Sequence, residues 1–72
     1  NKLRSRKVYQ DVLNALAEFG PSTDFEISSH LGRVATSVGK RRGELRDVGL
    51  VIDSGIKRKS PSGSWAIVWK LA

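Results

Sequence analysis

The chain has 72 residues, 39% of them apolar, which is enough for one small self-contained core and too little for a second domain. Its 13 Lys and Arg against 7 Asp and Glu give a net charge of +6, which suits a polyanionic partner, and the absence of cysteine excludes redox, thiol and zinc-cluster chemistry. No run reaches membrane-spanning length and no apolar leader opens the chain, so the expected setting is cytoplasmic, with no membrane partner.

Residues 1–7 hold Lys2, Arg4, Arg6 and Lys7 with Leu3 as the one apolar side chain, and read as a flexible basic arm ahead of a single domain, 8–72. Val8, Val12, Leu13, Leu16 and Phe19 recur at helical spacing and predict a first helix near residues 7–19, ended by Gly20-Pro21. Thr23-Asp24-Phe25-Glu26 fits a capping box and starts a second helix over 24–31 that stops at Gly32. A third helix follows over 36–48, with Val38, Leu45 and Val48 inward, Thr36 or Ser37 as cap and Gly49 as a left-handed stop. Its outward face carries Thr36, Lys40, Gly43 and Asp47, flanked by Gly39 and Arg46. Two helix glycines cost stability, and close approach to a nucleic-acid backbone or base edge would explain them.

After Gly49 the pattern changes to strands, predicting a hairpin over 50–71 closed by Ser60-Pro61-Ser62-Gly63, which has the preferred residues of a type I turn. That closure sets Trp65, Ile67, Trp69 and Leu71 on one face opposite Ile52 and Ile56, makes Gly55 a bulge, and presents Lys57, Arg58 and Lys59 at the tip. The expected core is Val12, Leu16, Phe19, Phe25, Ile27, Leu31, Val38, Leu45, Ile67 and Trp69.

Three residue groups carry a family resemblance: Thr23 to Gly32, the Val38 and Leu45 pair, and the junction Leu45-Arg46-Asp47-Val48-Gly49-Leu50-Val51. Together they resemble the winged helix-turn-helix domain of bacterial and phage transcription regulators. The junction is similar to that of the antibiotic-resistance-regulator (MarR-like) type, and Gly63-Ser64-Trp65-Ala66-Ile67-Val68-Trp69 is similar to small phage-encoded members. The resemblance implies an α+β fold, a winged helix-turn-helix of three helices followed by a two-stranded antiparallel β-hairpin wing. One departure is Arg42, where many relatives have an apolar residue. Its role stays open between contact with DNA and a structural pairing with Glu26, Glu44 or Asp53.

His30 is the only histidine, and no serine has a neighbouring base with an orienting acid, so no enzymatic activity, cofactor or metal is expected. Three basic clusters that this fold can turn to one side make duplex DNA the expected partner. The third helix would enter the major groove through Thr36, Ser37, Gly39, Lys40, Arg41, Gly43 and Arg46. The wing would place Lys57, Arg58, Lys59, Ser60 and Ser62 on phosphates or in the minor groove, and the arm would lay Lys2, Arg4, Arg6 and Lys7 along the backbone. The expected role is a phage or bacterial transcription regulator or a replication or recombination accessory factor, in a bacterial or phage-infected cell. The alternative is a protein-docking winged helix of a larger assembly, and structured RNA is a third reading. A lone wing implies a monomer, or a dimer formed through segments not present in this sequence.

Overall fold

The computed structural model of the chain describes residues 2–72, with side chains from Lys7 onward. Helix α1 spans Lys2–Phe19, α2 Asp24–Leu31 and α3 Ala35–Asp47, followed by strands β1, Val51–Lys59, and β2, Trp65–Leu71. None of the helices is long and apolar enough to cross a membrane, among the described residues.

Helix α1 buries Val8, Val12, Ala15 and Leu16, a stripe at helical spacing. It begins at Lys2, not near residue 7, so the segment expected as an arm has helical backbone over residues 2–7. Its Lys, Leu and Arg residues are good helix formers, and no Gly or Pro interrupts the ladder leading back from Val8. Asn1 and the side chains of Lys2, Arg4 and Arg6 lie outside the described residues.

Helix α2 opens on the expected capping box. The Thr23 hydroxyl accepts from the Glu26 N–H at 3.2 Å, and the Thr23 N–H donates to Glu26 Oε1 at 3.0 Å. Helix α3 differs from expectation at its start, because Val34 and neither Thr36 nor Ser37 is the cap, and no side chain caps the first turn. The Val34 carbonyl accepts from Val38 N–H at 3.1 Å, which starts the helix ahead of both hydroxyls. At the other end Gly49 adopts φ +83, with its N–H on the Arg46 carbonyl and Leu50 N–H on the Leu45 carbonyl, both at 3.0 Å. This is a Schellman stop of the kind the sequence predicts.

Strands β1 and β2 pair antiparallel, with Gly63 N–H closing the turn onto the Ser60 carbonyl at 2.9 Å. Partners run Val51 with Leu71, Ile52 with Lys70 and Asp53 with Trp69, then Lys57 with Ile67, Arg58 with Ala66 and Lys59 with Trp65. Between them Ser54, Gly55 and Ile56 stand opposite Val68 alone, a bulge in which Gly55 takes φ +84 and donates to Asp53 Oδ1 at 2.8 Å. The facing differs from the one the sequence suggests because the turn holds one residue more: Ser60 N–H bonds the Ser64 carbonyl at 2.8 Å, with Gly63 at φ +89 as the extra residue. Trp65, Ile67, Trp69 and Leu71 lie opposite Lys59, Lys57, Asp53 and Val51, while Ile52 and Ile56 are exposed. Lys57, Arg58 and Lys59 are therefore strand residues rather than the tip. A third, one-residue strand that the sequence did not announce completes the sheet: Ser22 exchanges both backbone bonds with Trp69, at 2.9 and 2.8 Å.

The core joins the α1 stripe to Ile27, Val38, Leu45, Val51 and Trp69. Val68 is fully buried as well. Phe19 at 51% and Phe25 at 46%, expected there, are exposed instead, as are Trp65 at 66% and Leu71 at 37% on the hairpin face expected inward. Phe19 stacks on His30, centroids 3.7 Å apart and planes 8° from parallel, so the two rings cover each other at the surface. Phe25 is outside because α2 turns Ile27 and Ser28 inward. Leu31 and Ile67 are only partly buried, and Val48 lies exposed beyond the end of α3.

Candidate nucleic-acid interface

Several cations of this basic chain are occupied within the fold. Arg42 projects from α3 onto Asp24 at the start of α2 and forms a two-pronged pair, Nε to Oδ1 at 2.8 Å and a terminal nitrogen to Oδ2 at 2.7 Å. Its guanidinium also lies 4.0 Å from the centroid of the Trp69 ring. One side chain thus joins α2, α3 and β2. The structural reading of Arg42 holds, but its partner is Asp24 rather than Glu26, Glu44 or Asp53, because Asp24 occupies the first turn of the neighbouring helix. Gly39 belongs to the same junction: a Cβ there would stand 3.2 Å from Asp24 Oδ2, so this glycine faces α2.

Arg41 and Arg58, both expected on the interface, are likewise paired. Arg41 donates to Glu44 Oε1 at 2.7 Å, and the Tyr9 hydroxyl donates to Glu44 Oε2 at 2.8 Å, linking α1 to α3. Hydrogen bonds from Arg41 first, and from Tyr9 next, hold the Glu44 carboxyl below its ordinary pKa. The same bond to Glu44, followed by burial, raises the Tyr9 hydroxyl above its own. Arg58 reaches from β1 to both oxygens of Glu26, at 2.5 and 2.6 Å. Burial pushes the Glu26 carboxyl up, but the Arg58 hydrogen bond, the Thr23 backbone and the Arg58 charge together outweigh it, and the net pKa is lowered. Arg33 pairs with Asp11 at 3.1 Å, and Lys7, the one described side chain of the expected arm, stands 4.0 Å from the same carboxylate.

Among the described residues, Lys40, Arg46, Lys57, Lys59 and Lys70 have no carboxylate partner. Lys40 is exposed on α3 together with Thr36 and Ser37. One turn on, Gly43 leaves open space, since a Cβ there would meet nothing within 4 Å. Arg46 leans toward the hairpin, 5.9 Å from the Trp69 ring. Lys57 and Lys59 lie exposed on the hairpin face that carries Ile67 and Trp65, and Lys59 Nζ stands 5.7 Å from the Trp65 ring centroid. In the turn, Ser60 and Ser62 share a hydroxyl hydrogen bond of 2.8 Å.

The expected site residues thus divide. Thr36, Ser37, Lys40 and Gly43 share one open helix surface, with Arg46 beside the hairpin, and Lys57 and Lys59 extend along β1. Arg41, Arg58 and Gly39 serve contacts between elements. Trp65, which the sequence sets on the inward hairpin face, lies at the surface beside these cations. Its position directly after the turn, at the end of the hairpin away from Val51 and Leu71, was the signal available.

Three helices, a helix-turn-helix pair and a two-stranded wing define the winged-helix fold. A similar solved structure is the Zalpha domain from Carassius auratus PKZ in complex with Z-DNA, with a TM-score of 0.77, 17% sequence identity, and coverage of 96% of this chain and 98% of that one. No protein-family signature matches the chain, and no curated protein does. At this identity the likeness establishes the winged-helix fold, and it does not single out the antibiotic-resistance-regulator type.

Proposed function

We propose that the chain binds duplex DNA, with the exposed face of α3 entering the major groove and Lys57 and Lys59 resting on phosphates. The observation that carries this reading is the division of charge: four of the carboxylates hold Arg33, Arg41, Arg42, Arg58 and Lys7, while Lys40, Arg46, Lys57 and Lys59 stay uncompensated along α3 and the wing. A likeness to a domain solved on Z-DNA supports the same partner class. The finer role we propose is a small phage or bacterial regulator, or a replication or recombination accessory factor, acting in the cytoplasm.

The test is a salt titration of affinity for B-form and Z-form duplexes of equal length. The two phosphate contacts give a log–log slope of about −1.8, and Lys57→Ala and Lys59→Ala should each flatten it by about one contact. Lys40→Ala should cost about 1–3 kcal/mol on a preferred sequence and relax sequence choice. Stronger binding to the Z form would replace groove entry by backbone contact. Absence of salt-dependent binding to either form would move the protein-docking reading ahead.

A further inference from the structure

We infer that Trp65 and Lys59 form a stacking platform for an unpaired DNA base lying next to the duplex held by α3, an inference that rests on the proposed duplex binding. Trp65 is 66% exposed, the most exposed aromatic ring of the described chain. A ring of this size left in water forgoes burial that the fold gives Trp69 four residues later. Both rings belong to the same face of β2, and the Trp69 ring is covered by Arg42 and approached by Arg46, both from α3. That face is therefore the one turned toward α3.

Four residues of strand at about 3.4 Å each carry Trp65 about 14 Å beyond the α3 contact. The ring is left exposed there, and in the proposed complex it sits beside a duplex held by α3. Its strand partners supply the charge. Lys59 stands over the ring at 5.7 Å, Lys57 follows on the same face, and neither has a carboxylate partner. A cation beside an exposed aromatic face, on a strand that tracks a phosphate backbone, is the arrangement that holds single-stranded nucleic acid.

Base geometry then decides the ligand. A base inside a duplex offers only its edge to a protein, because both of its faces are stacked on neighbours. Trp65 can stack only on a base that has left the helix, at an overhang, a fork or a bulge. The wing would accordingly favour an overhang, fork or bulge over continuous or blunt-ended duplex, and sequence would matter little there, since every base has a π face.

The experiment measures anisotropy with a blunt duplex and with the same duplex carrying a short single-stranded overhang, using the parent chain, Trp65→Ala and Trp65→Phe. The high exposure of Trp65 means that both variants should keep the parent circular dichroism spectrum and melting temperature. The parent should prefer the overhang by about five-fold or more, Trp65→Ala should remove that preference while leaving blunt-duplex affinity unchanged, and Trp65→Phe should keep most of it. Equal affinity of parent and Trp65→Ala for the overhang substrate overturns the platform and leaves duplex binding intact. An equal loss on both substrates also overturns it, because Trp65 would then be a general backbone contact. If the parent binds neither substrate, the duplex reading and the platform fall together.

Discussion

Replacing Arg42 by alanine probes the junction on which the α3 surface depends. The Arg42 side chain is 16% exposed and that of Asp24 28%, so the pair lies between two regimes. Exposed ion pairs contribute about 0.2–1 kcal/mol, and breaking a fully buried one costs about 3–5 kcal/mol. The contact with Trp69 at 4.0 Å adds a further term of about 0.5–2 kcal/mol. An expected loss of about 2–3 kcal/mol follows, a large share of the roughly 4–11 kcal/mol available to a domain of this size. Each kcal/mol lowers the melting temperature of so small a domain by about 4–8 °C, so Arg42→Ala should melt about 10–20 °C early. Urea unfolding followed by circular dichroism measures the loss, and a cycle with Asp24→Ala should isolate a coupling of about 1–2 kcal/mol. Arg42→Lys keeps the charge but loses the two-pronged geometry and the flat stack, and should recover less than half of the loss. A loss below about 0.5 kcal/mol for Arg42→Ala, the range of an ordinary surface change, would refute the clamp.

Leu45→Ala should cost about 2–5 kcal/mol in the same unfolding assay, because Leu45 is buried among α1, α3 and the sheet and its removal leaves a cavity. Acid should weaken the fold in a defined window. Glu26 and Glu44 have pKa values lowered from an ordinary 4.5, so their contribution is complete above that pH and is lost as pH falls through the depressed folded values. Urea midpoints measured from neutral pH downward should therefore drop below about pH 4.5, and less steeply in Glu44→Gln. An identical acid profile for parent and variant would exclude Glu44 as a contributor.

The features legible in the sequence are those in which a side chain or a glycine acts on its own stretch of backbone. Thr23 and Glu26 close a capping box within four residues, Gly49 stops α3, and Ser60 to Gly63 turn the hairpin, each at the expected place. Interactions between elements were harder to read. Nothing near Arg42 in the chain indicates Asp24, 18 positions earlier, and Arg58 finds Glu26 across 32. Gly63, at φ +89, adds a residue to the turn so that Ser60 pairs with Ser64, and counting back from a turn closed at Ser60 and Gly63 assigns β1 the wrong face; the bulge over Ser54 to Ile56 opposes three residues to Val68 and leaves that facing unchanged. Trp65 looks like core on a strand of alternating apolar residues, yet the strand outruns the helices that would cover it. For the candidate site, a count of basic residues cannot tell a free cation from one that a distant carboxylate has already neutralised.

Gly43 separates stability from binding. It lies in the interior of α3, one turn beyond Lys40, and a Cβ added there would meet nothing within 4 Å. Gly43→Ala should therefore stabilise the fold by about 0.5–1 kcal/mol, through the usual helix preference and the reduced freedom of the unfolded chain. Gly39→Ala is the contrasting case, because its Cβ would press within 3.2 Å of the Asp24 carboxylate that holds Arg42, and the gain should vanish or reverse. A residue that could be replaced with a gain in stability, and whose side lies on the open face with Lys40, fits a surface that must come close to its partner. On duplex DNA, Gly43→Ala should thus bind several-fold more weakly than the parent despite melting higher, and Gly43→Glu should lose binding while staying folded, since a carboxylate would meet the phosphates. Thermal melts and anisotropy on the same samples read both quantities. Should Gly43→Ala melt higher and bind DNA as tightly as the parent, α3 does not approach the duplex closely, and protein docking becomes the better account of this surface.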